Sequence, residues 1–306
     1  MNQRLAYFYT GLTILAWSTV STAFKISLRS LTPLGLLFYS SMTAVVVLGI
    51  ALFFRPANKE EDSLKAVGKN LLLSLLPGLL NPFLYYMMLF AAYYRLRAQE
   101  AQVLNYTWAI VLSVMSVIFL REKFRLKDLL ALLISFLGVV IISTKGSFGA
   151  LGFDDPIGSL LAVSTSIVWA GYWILGLKDK RDPVTKLYYN FFIGLLAISI
   201  FIYFRQSEGQ CVLFLRADQS RYIGILAAIY VGIFEMGLTF LLWFKALSLT
   251  DNTAKISNLI FVTPFISLIF IGLILHEPIH PATLIGLILI VGSNLFQKLS
   301  PRIKTK

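Results

Sequence analysis

Residues 222–245 read YIGILAAIYVGIFEMGLTFLLWFK, an apolar stretch with one acid, Glu235, near its centre. A helix needs about 20 mostly apolar residues to cross a ~30 Å hydrocarbon core, and this stretch supplies them. An ionisable group at that depth is costly enough to be a functional candidate in its own right. The rest of the chain repeats the pattern. Nine further runs of the same kind lie at approximately 5–24, 33–53, 70–93, 100–120, 128–144, 157–177, 184–204, 253–275 and 281–298. Turn and charge signals separate them, among them Arg55-Pro56, Asp154-Asp155-Pro156, Arg181-Asp182-Pro183 and His280-Pro281. The expected fold class is an all-α polytopic membrane protein with ten transmembrane helices.

Composition agrees. Of 306 residues, 58% are hydrophobic and 14% charged, against roughly a quarter charged in a soluble domain. A disordered chain needs the opposite balance. A single cysteine, Cys211, excludes a disulfide framework within the chain, and two histidines, His276 and His280, leave little for metal or acid–base chemistry. No metal or cofactor is expected. The loops around 54–69 and 205–221 are too short for a soluble domain. Arg4 and the apolar run after it imitate a signal peptide, with Ser21-Thr22-Ala23 as a weak cleavage-like site; nine more spans identify it instead as an uncleaved first helix. The sequon Asn105-Tyr106-Thr107 falls inside a span and reads as accidental.

The net charge of +12 has to be read by position. Basic residues of short loops collect on the cytoplasmic side. With the N-terminus inside, 19 of the 27 Lys and Arg fall on that side and 8 outside. This places both termini in the cytoplasm of a multi-pass protein in the cytoplasmic membrane. The excess charge is thereby a sidedness signal, and no nucleic-acid partner is expected. The partners are the bilayer and a small-molecule substrate.

Sliding the chain on itself by 154–155 residues aligns its halves, 1–148 and 149–306. Phe90-Ala91-Ala92 falls on Phe244-Lys245-Ala246; Leu130, Ile134 and Gly138 fall on Leu284, Ile288 and Gly292. The junction 121–127 carries four basic residues and its counterpart 276–281 none. Five spans per half would insert the second half upside down, with its junction outside. Inverted repeats of this kind place a substrate site near the midplane and work by alternating access. Gly138 and Gly292 suit close helix packing within a monomer and between monomers alike.

The sequence resembles the drug/metabolite transporter superfamily, in particular its EamA-type two-repeat members. The resemblance rests on Ala16-Trp17-Ser18-Thr19-Val20-Ser21-Thr22, on the run Thr239 to Leu247, and on the junctions Arg121-Glu122-Lys123 and Leu275-His276-Glu277-Pro278-Ile279. It implies ten helices, cytoplasmic termini, a central cavity, and often export of amino acids or other small metabolites.

Polar residues inside the spans give the candidate site. Glu235 is a candidate to carry a proton or to pair with a substrate amine, and its repeat counterpart is Asn81, followed by Pro82. Gln99, Gln102 and Tyr106 share a helical face with Asn105 at its edge; Asn258 belongs to the matching span. Glu100 and Lys255 correspond across the repeat and mark candidate gate regions, with snorkelling to the interface as the alternative for Lys255. Trp17, Asn81, Tyr85, Asn105, Tyr106, Trp108, Trp169, Trp173 and Asn258 are the candidate lining of a substrate cavity. Ser18 and Ser21 suit helix packing, and Lys25 should reach the outer interface. Glu277 should cap or pair within its own hairpin.

The expected activity is secondary transport of a small organic metabolite, amino acid-like or drug-like, outward by alternating access. No Walker motif supports ATP drive. The alternative is an uptake or exchange carrier for a nucleoside, vitamin or cofactor-like solute. An integral-membrane enzyme would need His, Asp or Cys clusters at bilayer depth, and the chain is not expected to be an enzyme.

Overall fold

The computed structural model describes residues 2–55, 64–120, 126–146, 155–206, 213–215, 219–250, 256 and 259–299. These residues are nearly all helical. The helices are α1 (Gln3–Ser27), α2 (Pro33–Phe53), α3 (Leu64–Gly78), α4 (Tyr85–Arg95), α5 (Ala98–Asn105), α6 (Trp108–Leu120) and α7 (Leu126–Ser143). The second half supplies α8 (Pro156–Lys178), α9 (Pro183–Gln206), α10 (Ser220–Val231), α11 (Leu238–Leu249), α12 (Thr263–Leu275) and α13 (Pro281–Leu299). Wide π-type turns, Leu79–Leu84 and Gly232–Gly237, join α3 to α4 and α10 to α11 into two long bent helices. Among the described residues five helices are long and apolar enough to cross a membrane: 33–53, 66–95, 156–178, 183–206 and 220–249. Shorter apolar helices accompany them at 129–142, 260–275 and 281–296.

The helix starts follow local chemistry. Asn2, Thr32, Asp155 and Asp182 each accept a hydrogen bond from the backbone N–H three residues on, at 3.2, 3.0, 2.7 and 2.9 Å. Proline follows three of these caps, at 33, 156 and 183, where its missing N–H costs nothing. Hydroxyls buried along the helices bond back to carbonyls four residues earlier, as Thr10, Thr13 and Ser40 do. That satisfies a polar group without a partner from another helix.

The molecule is apolar outside as well as inside. Phe8, Val46, Leu72, Phe136, Leu160, Ile200, Leu226 and Ile288 are each more than half exposed. A surface this apolar is unstable in water and suits hydrocarbon, where helices satisfy their own backbone groups.

Packing crosses between the halves reciprocally. The first helix of each half, α1 or α8, packs on the bent helix of the other; the second helix, α2 or α9, covers the other half's bend. The last helices, α7 and α13, pair closely. At that seam a Cβ on Gly138 would lie 2.9 Å from the carbonyl oxygen of Gly286, and one on Gly286 would lie 2.8 Å from that of Gly138. Gly138 thus packs helices within the chain, whereas a Cβ on Gly292 would meet nothing within 4 Å.

Three details differ from the sequence expectations. The expected span 100–120 breaks between α5 and α6, where the backbone tightens (Thr107 N–H to Leu104 O, 3.2 Å) and the Thr107 hydroxyl bonds to Leu104 O (2.8 Å) and to Ser166 Oγ (2.7 Å). The expected span 253–275 has a tight 3-10 turn at Ile260–Val262 before α12. Lys25 is not a free snorkelling chain: its Nζ donates to the carbonyls of Tyr93 (2.8 Å) and Leu96 (2.7 Å), the open C-terminal end of α4. A cation is favoured there by the helix dipole.

Candidate functional site

The centre of the site is a cavity of about 410 Å³ between the halves. Trp17, Tyr85, Asn105, Tyr106, Trp108, Trp169, Trp173 and Glu235 all line it. Ser21, Gln102, Phe240 and Trp243 complete its more polar and aromatic walls. The aromatic wall is continuous. Tyr85 and Trp169 have ring centroids 4.8 Å apart, Trp17 meets Phe240 at 5.6 Å, and Trp17 meets Trp243 at 6.0 Å. Asn105 is held in place on both sides: its Nδ2 donates to Thr165 Oγ1 at 2.8 Å, and its Oδ1 accepts from the Tyr85 hydroxyl at 3.4 Å.

Glu235 is the one carboxylate among the described lining residues. Its Oε1 accepts a hydrogen bond from the Tyr86 hydroxyl at 3.0 Å, and part of its surface stays open to the cavity. Among the described residues no Lys, Arg or His lines this cavity. The acid therefore has a hydrogen-bond donor beneath it and aromatic faces around it.

The wide turn decides which neighbours share the cavity with Glu235. In a straight helix its companions one, two and three turns on are residues 238–239, 242 and 246. The observed companions are Phe240, Trp243 and Leu247. A π-type turn carries one extra residue, which rotates everything after it by one position. Thr239, displaced from the cavity face, is buried, and its hydroxyl bonds to the carbonyl of Phe234, five residues back.

A second cavity, about 890 Å³, adjoins the first. Among the described residues Lys69, Lys178, Lys180, Arg181 and Lys186 line it with a single acid, Asp179. Trp169, Trp173, Phe240 and Trp243 line both cavities and so form the partition between them. Burial works against the charge of Asp179, but the Arg181 side chain and backbone N–H outweigh it and hold the carboxyl below its ordinary range. Arg181 also donates from Nη1 to Asn70 O and Ser74 Oγ, both at 3.0 Å, which ties the loop before α9 to α3.

Other sequence candidates lie elsewhere. Asn81 does not line the cavity. Its backbone is extended (φ −143°, ψ 117°) within the first bend, the side chain is fully buried, and the bend packs on α9. Glu100 is a capping acid at the start of α5, its Oε2 accepting from Arg97 N–H at 3.3 Å. Asn258, Lys255 and the junction Arg121-Glu122-Lys123 lie outside the described residues. Glu277 does not cap its own hairpin; it reaches the other half and accepts from the Ala98 N–H at 3.1 Å, at the start of α5. Beside it Gln99 donates to Pro278 O (2.8 Å) and accepts from His280 N–H (3.0 Å). Neither Phe240 nor Trp243 was a cavity candidate: aromatics toward the end of a span read as interfacial, and ordinary helical spacing from Glu235 points to other residues.

A lipid-facing helical body around a central cavity holding one acid is the architecture of a multi-pass membrane transporter. A model of the EamA-like transporter family matches the chain twice, over residues 4–144 and 156–296, and the chain belongs to that family. Similar proteins bear the same class of name. An "uncharacterized transporter" of Archaeoglobus fulgidus is 25% identical over 95% of this chain and 96% of its own. One of Clostridium kluyveri is 26% identical over 83% of this chain and 82% of its own. A solved crystal structure shares the fold with a TM-score of 0.63, at 19% identity, over 97% of both chains.

Proposed function

We propose that the chain is a secondary transporter that exports a small organic solute across the cytoplasmic membrane by alternating access. The observation that carries this reading is the cavity at the level of the two bends, built from helices of both halves and holding one acid. In this reading the chain forms ten spans in two inverted five-helix repeats, 1–148 and 149–306, with both termini in the cytoplasm. Reciprocal packing across the halves supports it, as does the 19 to 8 distribution of basic residues. The base-lined cavity is then the cytoplasmic vestibule, and the four shared aromatics are the barrier closed in this conformation. Rocking one half against the other parts that layer and opens the Glu235 cavity to the cytoplasm. Glu235 carries a proton on the return stroke or pairs with the substrate directly. Export is the direction the family resemblance implies.

The test is flux in proteoliposomes under an imposed pH gradient, with candidate solutes drawn from the medium of overexpressing and deletion cells. The expected result is a solute whose efflux depends on the protein and whose pH dependence disappears in Glu235→Gln. Unchanged pH dependence in that variant removes Glu235 from coupling. No protein-dependent change in any solute overturns the transport reading.

A further inference from the structure

The chemistry of the cavity wall narrows the solute beyond the proposed transport. The chain has five tryptophans, and all five line this one cavity. Tryptophan offers the strongest face for a cation, which is held within about 6 Å of a ring centroid. The one carboxylate of the described wall stands among them. A second group also lacks its complement: Gln102 is 4% exposed, and its Oε1 has no hydrogen-bond donor among the described residues. The acid calls for a cation and the empty acceptor for an N–H donor, and a protonated amine supplies both; the Trp173 Nε1 on the same wall, also without a partner among the described residues, is a neutral donor.

We infer that the cavity binds organic ammonium ions, a protonated amine head on an apolar body, in preference to neutral or zwitterionic solutes of the same shape. The head pairs with Glu235 and donates to Gln102, while the body lies against the indole rings. A solute that also carries a carboxylate is disfavoured. Among the described residues this wall holds no cation to receive it, and those of the second cavity lie beyond the aromatic partition. The inference rests on the transport reading for its purpose, but binding alone tests it.

Because every tryptophan lines the cavity, intrinsic fluorescence of the purified full chain reports occupancy directly. Four probes share one body: 2-cyclohexylethylammonium, neutral 2-cyclohexylethanol, anionic 3-cyclohexylpropionate and zwitterionic cyclohexylalanine. The expected result is saturable binding of the ammonium at least tenfold tighter than the alcohol or the zwitterion, with no measurable binding of the anion. Glu235→Gln should remove that preference and bring the ammonium to the affinity of the alcohol. Gln102→Leu, which leaves the acid in place, should weaken the ammonium about tenfold to a hundredfold, the loss of one hydrogen bond to a charged group, and keeps the question answerable if Glu235→Gln does not fold. Equal binding of ammonium and alcohol, tighter binding of the zwitterion or anion, or no binding of any probe overturns the inference. Protein-dependent flux of a neutral or anionic solute in the same preparation would then show that transport stands and the substrate class does not.

Discussion

The two bent helices stand at matching places in the two halves, yet their bends are made differently and do different things. The first, Leu79–Leu84, contains Pro82 and an extended Asn81; it turns its polar residue inward against the opposite half and away from the cavity. The second, Gly232–Gly237, begins and ends on glycine and presents Glu235 to the cavity. Both press on the second helix of the other half. A Cβ on Gly194 of α9 would lie 2.4 Å from the Pro82 ring, and one on Gly232 would lie 2.4 Å from the Ser40 carbonyl oxygen of α2. The repeat therefore preserves the shape of the bend and its docking, while the chemistry sits on one side only.

That contrast can be broken experimentally. The largest effect is expected from the acid: Glu235→Gln should lower transport of a charged solute by about tenfold to a hundredfold, the value of a hydrogen bond to a charged group. Asn81→Ala should leave solute affinity within about twofold and instead lower the melting temperature in detergent. Comparable losses of affinity in the two variants would mean that the bends share one function.

The docking sites give the next effect. Gly194→Ala and Gly232→Ala each force a methyl group into a filled contact, and overpacking costs about 1–3 kcal/mol. Both should melt earlier, and by similar amounts. Gly11→Ala, where a Cβ meets nothing within 4 Å, should be neutral or stabilise by up to about 1 kcal/mol from helix propensity. A destabilised Gly11 variant beside an unaffected Gly232 variant would contradict the close approach of the bend to α2.

The smallest effect concerns the caps of the first helix in each half, Asn2 and Asp155. The Gly158 N–H, against a small opposing effect of burial, and then Arg95 hold the Asp155 carboxyl below its ordinary range. Arg95 Nε lies 3.0 Å from Asp155. A lowered folded pKa means stabilisation that is complete above the unfolded value and lost as pH falls through the folded one. Asp155→Ala should therefore cost about 1 kcal/mol at neutral pH, the usual value of such a cap. The difference from the parent should shrink on acidification below the ordinary carboxylate range. Asn2→Ala should cost a similar or smaller amount with no such pH dependence. Melting curves at neutral and acidic pH distinguish the two.

Much of this was legible in the chain. Hydropathy marked the runs that became helices, because a helix facing lipid is apolar on nearly every side. Asn81-Pro82 and Glu235 announced themselves as polar or helix-breaking residues in apolar surroundings; Asn105 and Tyr106 followed from the same logic, and Trp17, Tyr85, Trp108, Trp169 and Trp173 from being aromatics toward the middle of their spans. What remained hidden depends on contacts far apart in sequence or on a change of helical register. The partner of Glu277 lies 179 residues away. Lys25 finds its carbonyls 68 and 71 residues on. Asn81 looked like a cavity residue because the repeat aligned it with Glu235, but an extended residue before proline turns its side chain differently from a helical one. Trp243, toward the end of its span, read as an interfacial aromatic, and because the wide turn shifts the face after it no periodicity from Glu235 points to Phe240 or Trp243.

The turn at Gly232–Gly237 also bears on how such a protein could change over time. It holds one residue more than a regular helix would. A single-codon deletion within it would restore regular winding and swing the remainder of the helix by about 100°. Phe240, Trp243 and Leu247 would leave the cavity together, and Thr239, Leu242 and Ala246 would replace them. A bundle with the same two halves and the same acid could thus acquire a new lining in one genetic step, where point substitution would require three.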